Sequence, residues 1–268
     1  MKPSSIAIAT ARLKRIGSLV INDLILKPLG LKLSFRVGNN PIEDMTRLLS
    51  RRSVAIVVDG GAYEGSFSHE CARAFPNATI HAFEPTPASY SRLERRAQSA
   101  SAIVCHRLAL GSECGAATLF VNASPLTNSL RKNSSAGHHY FPVFVAEQTT
   151  TKVQVVTLAE FASDRGLDAI DILKLDLQGN ELEAIIGSGR LLETVRVIFM
   201  EVQFVELYEN APLFSEIESY LRGRGFVLYQ LYELVRSPKD GRLLYGDAMF
   251  VAGEFVKGIP PDSQNRVQ

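Results

Sequence analysis

The residues best placed to do chemistry gather after four short apolar runs. The run Val54–Val58 leads into Asp59-Gly60-Gly61-Ala62-Tyr63-Glu64-Gly65, and Thr79–Phe83 leads into Glu84-Pro85. Ile170–Leu175 carries Lys174 and leads into Asp176, and Val195–Glu201 closes on Glu201. Glycines after a strand let the backbone turn tightly and approach a ligand closely. A carboxylate about 19 residues beyond such a turn is where ribose hydroxyls find their acceptor, and Glu84 lies at that distance from Gly65. The alternative role for Glu84 is a helix N-terminal charge ahead of Pro85 and Pro87.

Two ligand classes fit a glycine turn of this kind. A dinucleotide fingerprint reads GxGxxG, whose middle glycine admits the pyrophosphate. Here the stretch reads Gly60-x-Ala62-x-x-Gly65, without it. A carboxylate at Asp59 would also repel a pyrophosphate in a partly dry site. S-adenosylmethionine carries no phosphate and is positive at both its sulfonium and its ammonium, so Asp59 favours that ligand, directly or by ordering the loop. Leu110, in Ala109-Leu110-Gly111 after a further strand-like run, Ile103–Leu108, is positioned to cover an adenine face or simply to fill the core.

Transfer to an alcohol oxygen calls for a nearby base. Asp176 is the first candidate, with the cap of the next helix as its structural alternative. Lys174 precedes it by two residues, so both side chains share one side of an extended strand. A lysine in so apolar a run needs a partner. It could hold Asp176 or Glu201 ionised, orient a substrate oxygen, or form a structural ion pair. Glu201 converges on Asp176 if their strands are neighbours, and Glu181 reads as a first-turn helix carboxylate. His138 and His139 lie in the polar insertion before Phe141, and His139 is the histidine carried forward as a catalytic candidate. No third residue has zinc spacing. A divalent cation is compatible with clustered carboxylates but is not predicted, and no metal ligand is assigned.

These residues must be held by a frame. Apolar strand-like runs alternate with helix-like stretches at Ser66–Phe75, Pro87–Gln98, Leu158–Arg165 and Glu181–Ile186. Continuous apolar runs mark strands buried on both faces of a parallel sheet, and the alternation implies right-handed βαβ units. Thr118–Val121 and Lys152–Val156 are further strand candidates, and the end reads as a helix, Ser215–Arg222, followed by two closing strands, Gly225–Leu231 and Ala248–Ala252.

In chain order, Asp59-x-Gly61-Ala62-x-x-Gly65, Phe83-Glu84-Pro85, Ala109-Leu110-Gly111, Asn128-Ser129-Leu130 and Lys174-x-Asp176-x-x-Gly179-x-Glu181 together resemble the FkbM family of S-adenosylmethionine-dependent methyltransferases. The resemblance covers roughly residues 54–205. It implies an α/β, Rossmann-like class I methyltransferase fold, with a mostly parallel seven-stranded sheet and helices on both faces. It also implies methyl transfer to a hydroxyl of a small molecule, such as a sugar or a secondary metabolite. The cofactor residues it points to are Asp59, Gly61, Ala62, Gly65, Glu84, Pro85, Leu110 and Asp176. Two positions depart from the family pattern: Tyr63 stands where asparagine is usual, and Gln178 where glutamate is usual. The competing readings are a nicotinamide-dependent oxidoreductase and a non-catalytic binding module.

The organisation expected is an N-terminal helical segment over residues 1–50, a methyltransferase domain over 51–255 and a tail over 256–268. The stretch Ile16–Leu33 is broken by Asn22, Asp23, Lys27, Pro28 and Lys32, too often for a bilayer span of about 20 apolar residues. Its readings are packing on the core, a homodimer contact or a peripheral membrane contact. Basic and acidic residues nearly balance, 29 against 28, so no global field selects nucleic acid. Three cysteines without CxxC spacing suit a reduced cytoplasmic chain.

Overall fold

The computed structural model describes residues 40–146 and 149–256. Most of the expected N-terminal segment, including Ile16–Leu33, and all but the first residue of the 256–268 tail lie outside these. Helix α1 (Pro41–Leu48) opens the described chain; the Asn40 side chain accepts from the amides of Ile42 and Glu43, and Pro41 starts the first turn. Then follow β1 (Ile56–Gly60), α2 (Ser66–Ala74), β2 (Thr79–Phe83), α3 (Pro87–Ala97) and β3 (Ile103–His106). The middle of the chain holds β4 (Ala109–Leu110), β5 (Gly115–Val121), α4 (Ser135–Tyr140), β6 (Thr149–Val156) and α5 (Leu158–Arg165). The last part holds β7 (Ile172–Leu175), α6 (Glu181–Ile186), β8 (Val197–Gln203), α7 (Phe214–Arg222), β9 (Phe226–Arg236) and β10 (Leu243–Ala252).

Seven strands form one sheet in the order β3-β2-β1-β7-β8-β10-β9, and only β10 runs antiparallel to its neighbours. This is the mostly parallel, Rossmann-like α/β arrangement. The alternation of side chains along each central strand builds both faces. Val58, Leu173 and Ile198 meet Leu158, Phe161 and Ile185 on one side; Val57, Ile172 and Val197 meet Met45, Cys71 and Leu93 on the other. Each fully buried aliphatic side chain there contributes about 1.5–3 kcal/mol relative to exposure. Strand order reverses between β1 and β7, so the clefts open beyond the carboxyl ends of those strands.

Three differences from the sequence reading have local causes. The run Ile103–Leu108 divides: β3 ends at His106, and the chain restarts as β4, which pairs with β6 in a separate three-stranded sheet, β4-β6-β5. The final hairpin is longer than Gly225–Leu231 and Ala248–Ala252. Polar Glu233, at φ 43°, and the Gly246-Asp247 step interrupt its apolar pattern without ending the pairing. The polar insertion contains a short helix, α4, whose Ser134 cap accepts from the amide of Gly137. Among the described residues no helix is long and apolar enough to cross a membrane.

Candidate functional site

The glycine turn after β1 is fixed from below by a buried ion pair. Asp59 and Lys174 stand opposite each other on adjacent parallel strands, with Lys174 Nζ 3.0 Å from Asp59 Oδ1. The Ser68 hydroxyl donates to Asp59 Oδ2 at 2.6 Å, and Lys174 Nζ also donates to the carbonyls of Gly60 and Gly61. Burial lowers the lysine's proton affinity, but Asp59 and Asp176 more than offset it and hold the ammonium charged. Asp59 is fully buried, so it acts on the turn and not on a ligand directly. Lys174 therefore serves Asp59, rather than holding Asp176 or Glu201 by a direct contact.

Gly61 adopts φ +69°, and a Cβ there would run into the carbonyl oxygen of Asp176. Gly65, at φ +81°, forms the N-terminal boundary of α2, and a Cβ there would strike Leu93. Both positions need glycine for conformation and for space. Tyr63, at φ 50°, and Gln178, at φ 53°, are also left-handed. The two departures from the family pattern thus fall on backbone positions where a long side chain is uncommon.

Glu84 ties the turn to β2. Its Oε2 accepts from the amide of Tyr63 at 3.0 Å and its Oε1 from the amide of Thr86 at 2.8 Å. Burial pushes its proton affinity up and those amides pull it down. Each carboxylate oxygen keeps a lone pair, and Glu84 borders a cleft with Gly61, Pro85, Leu110, Leu130 and Asp176. Ala62 borders a third cavity beside the turn, with Phe67, Lys174 and Glu201. Gly65 lines neither; it sets the course of the chain.

The segment Asn128-Ser129-Leu130 covers the first cleft. Asn128 donates to the Thr86 hydroxyl, and the Ser129 hydroxyl donates to the Gln178 carbonyl at 2.7 Å. A second, larger cavity lies beyond, bordered by Asp176, Gln178, Glu201, Tyr208, Glu233, Tyr245 and Asp247, with Phe141 and Phe144 toward its mouth. Asp176 borders all three concavities, so they meet there.

Around that junction the carboxylates crowd. Asp176, Glu181 and Glu201 each bring an oxygen within 4.8 Å of the others. Glu181 accepts from the amides of Leu177 and Gly179, closing its own loop. The Gln178 amide donates to Asp176 at 2.6 Å and to Glu201 at 3.4 Å, while its oxygen accepts from Tyr208 at 2.5 Å. The chain's own N–H donors thus serve all three acids. Burial pushes Glu181 up to about 7, and burial with Asp176, Glu181 and Asp247 nearby pushes Glu201 well above the usual carboxylate range.

Sequence reasoning brought Asp176 and Glu201 to one place, as the structure does, but His139 lies elsewhere. It is exposed on α4, packs edge-on to Tyr140, and borders none of these concavities. Asp247 and Glu233 were missed, because each sits where the apolar strand pattern breaks. Tyr208 borders the second cavity, whereas the Tyr232 hydroxyl donates to buried Asp44 beneath the sheet.

Comparison with known proteins adds independent observations. The family model described as "Methyltransferase FkbM domain" matches residues 59–228. "Methyltransferase 1" of Beauveria bassiana is 26% identical over 189 residues, covering 65% of this chain and 73% of that protein. "31-O-demethyl-FK506 methyltransferase FkbM" of Streptomyces tacrolimicus is 27% identical over 200 residues, covering 65% and 73%. Among solved structures, "Methyltransferase FkbM" from Methylobacillus flagellatus KT aligns with TM-score 0.45 and 14% identity, over 74% of this chain and 44% of that longer one.

Proposed function

This chain belongs to the FkbM methyltransferase family, and we propose that it is an S-adenosylmethionine-dependent O-methyltransferase acting on a hydroxyl of a small molecule, a sugar or a secondary metabolite. The observation that carries the reading is the meeting at Asp176 of a cleft bordered by Glu84 and a separate, larger cavity. The relative from Streptomyces tacrolimicus is named for methyl transfer to 31-O-demethyl-FK506, which supports oxygen as the atom methylated.

In this reading the first cleft takes the adenosine. Glu84 accepts from the ribose hydroxyls with its remaining lone pairs, and Leu110, Pro85 and Leu130 enclose the base. The glycine turn, held by the Asp59–Lys174 pair, lets the methionine portion pass close to Gly61 and Ala62 toward Asp176. When bound, S-adenosylmethionine supplies an electrophilic methyl group on positively charged sulfur. The carboxylates around Asp176 favour that charge, and the second cavity orients the acceptor hydroxyl along the line of attack, where alignment provides much of the rate gain. The catalytic domain is taken as residues 51–255, to which α1 adds its buried face.

Calorimetric titration with S-adenosylmethionine, with NAD as the comparison ligand, tests this. One-site binding of the methyl donor alone, weakened at least tenfold in Glu84→Ala, is expected. Binding of NAD alone would replace the reading with an oxidoreductase.

A further inference from the structure

Among the described residues neither Asp247 nor Glu233 accepts from a protein donor, and of the two only Asp247 borders both the second cavity and the cavity beside the glycine turn. It lies on β10 directly opposite Glu201 on β8 and opposite Tyr232 on β9. Directly opposed side chains on an antiparallel pair lie on the same face, about 4.5–5.5 Å apart at Cβ, so two carboxylates face each other. Asp176 holds the Gln178 amide, Glu181 holds two backbone amides, and Lys174 holds Asp59. Asp247 borders both the second cavity and the cavity beside the glycine turn, so it faces acceptor and donor together.

We propose that Asp247 takes the proton from the acceptor hydroxyl, and that the positive sulfur of the donor keeps this carboxylate ionised until the methyl group leaves. The inference rests on the methyltransferase reading above. As the hydroxyl oxygen bonds to the methyl carbon, the carbon–sulfur bond breaks and its electron pair stays on sulfur. The hydroxyl proton passes to an Asp247 oxygen. Loss of the sulfonium charge and gain of the proton occur at one place, so the local charge never builds up.

The surroundings suit such a switch. Burial, with Asp176 and Glu233 facing it, pushes Asp247 up to about 7, while Lys174 pulls the other way. Glu201 across the pair is itself raised, by burial and by the acids around it. Tyr232, Tyr245 and Tyr208 complete the ring of titratable groups, and burial and the neighbouring acids hold Tyr245 and Tyr208 in their neutral form at neutral pH. A cation within about 4–6 Å lowers a carboxyl by about 1–3 units, enough to empty Asp247 near neutrality.

The test needs no acceptor. S-adenosylmethionine and S-adenosylhomocysteine share the ammonium and differ in the sulfonium. Their binding heats, measured at pH 7 in buffers of different ionisation enthalpy, count protons released. The methyl donor is expected to release about half a proton more than the demethylated product, the fraction held by a carboxyl titrating near 7. In Asp247→Asn that difference should vanish, the donor should bind about tenfold more weakly, and the product's affinity should stay within about twofold, which also reports an intact site. Equal proton counts in the unaltered protein would overturn the proposal. So would a difference that persists in Asp247→Asn, and its loss in Glu201→Gln instead would move the role to Glu201. Binding of neither ligand by folded protein removes the methyltransferase reading itself, a result distinct from equal counts.

Discussion

Lys174 reaches across from β7 to Asp59 on β1 and, from the same nitrogen, holds the carbonyls of Gly60 and Gly61. One ammonium therefore neutralises a buried acid and fixes the turn. Removing one partner of such a pair strands the other charge, which costs about 3–5 kcal/mol, whereas replacing both with apolar side chains is often neutral. Asp59→Asn is expected to lose at least about 3 kcal/mol in urea unfolding, with Asp59→Leu/Lys174→Met recovering most of it. The double variant should still bind the methyl donor poorly, because the carbonyl anchors are gone. An Asp59→Asn protein as stable as the parent would mean that the pair does not bear on folding.

Gly61→Ala tests the turn directly. The added methyl meets the Asp176 carbonyl, and φ +69° is strained for alanine, so the turn and the end of β7 must move apart. Donor affinity should fall at least tenfold, with a stability loss of about 1–3 kcal/mol. Calorimetry and thermal melting read the two effects separately. Unchanged affinity would place the ligand away from this turn.

What the sequence could disclose was set by range. The glycine turn, Glu84 and the strands around them are local patterns, and the structure holds them where those patterns point. Lys174 in so apolar a run needs a partner, but which partner it takes depends on the register between β1 and β7, which no local feature encodes. Asp247 reaches the site only through the antiparallel pairing of β10 with β8, and the Gly246-Asp247 step hides that strand's true start. His139 shows the converse. Its residue type suits a base, yet its neighbours say nothing of facing, and α4 turns it outward.

Gln178→Glu restores the acid usual in the family at a cost visible in pH. The present amide donates to Asp176 and Glu201; a carboxylate there would remove the donor and add charge. Glu181 and Asp247, already up to about 7, and Glu201 would rise further. A carboxyl raised in the folded state contributes stability that is fully present below its unfolded pKa and is lost as pH climbs through its folded value. The variant should melt about 2–4 °C below the parent at pH 8, equivalent to about 1 kcal/mol, and close to it at pH 5. An equal gap at both pH values would show that the loss is one of packing.

The His81–His106 contact supplies the opposite sign. The two rings stack, with Nδ1 of His81 3.0 Å from Nε2 of His106, against Phe83 and Phe161. One nitrogen must donate and the other accept, so the contact needs neutral imidazole on the accepting side. Burial, His81 and Arg165 hold His106 down to about 4. A histidine depressed in the folded state contributes stability above its unfolded value near 6.5, and that contribution is lost as pH falls through about 4. Because the ring is only partly buried, the effect is about 1–2 kcal/mol after solvent screening. The raised carboxylates at the junction change stability in the other direction over the same range, so the whole protein's pH profile would blur the two. The difference between the parent and His106→Leu isolates the ring. Leucine cannot titrate, so the variant should gain on the parent by about 1–2 kcal/mol as denaturant unfolding is moved from pH 7 to pH 4. A difference flat across that range would show that His106 is not protonated on unfolding there and that the stacked pair is simply packing.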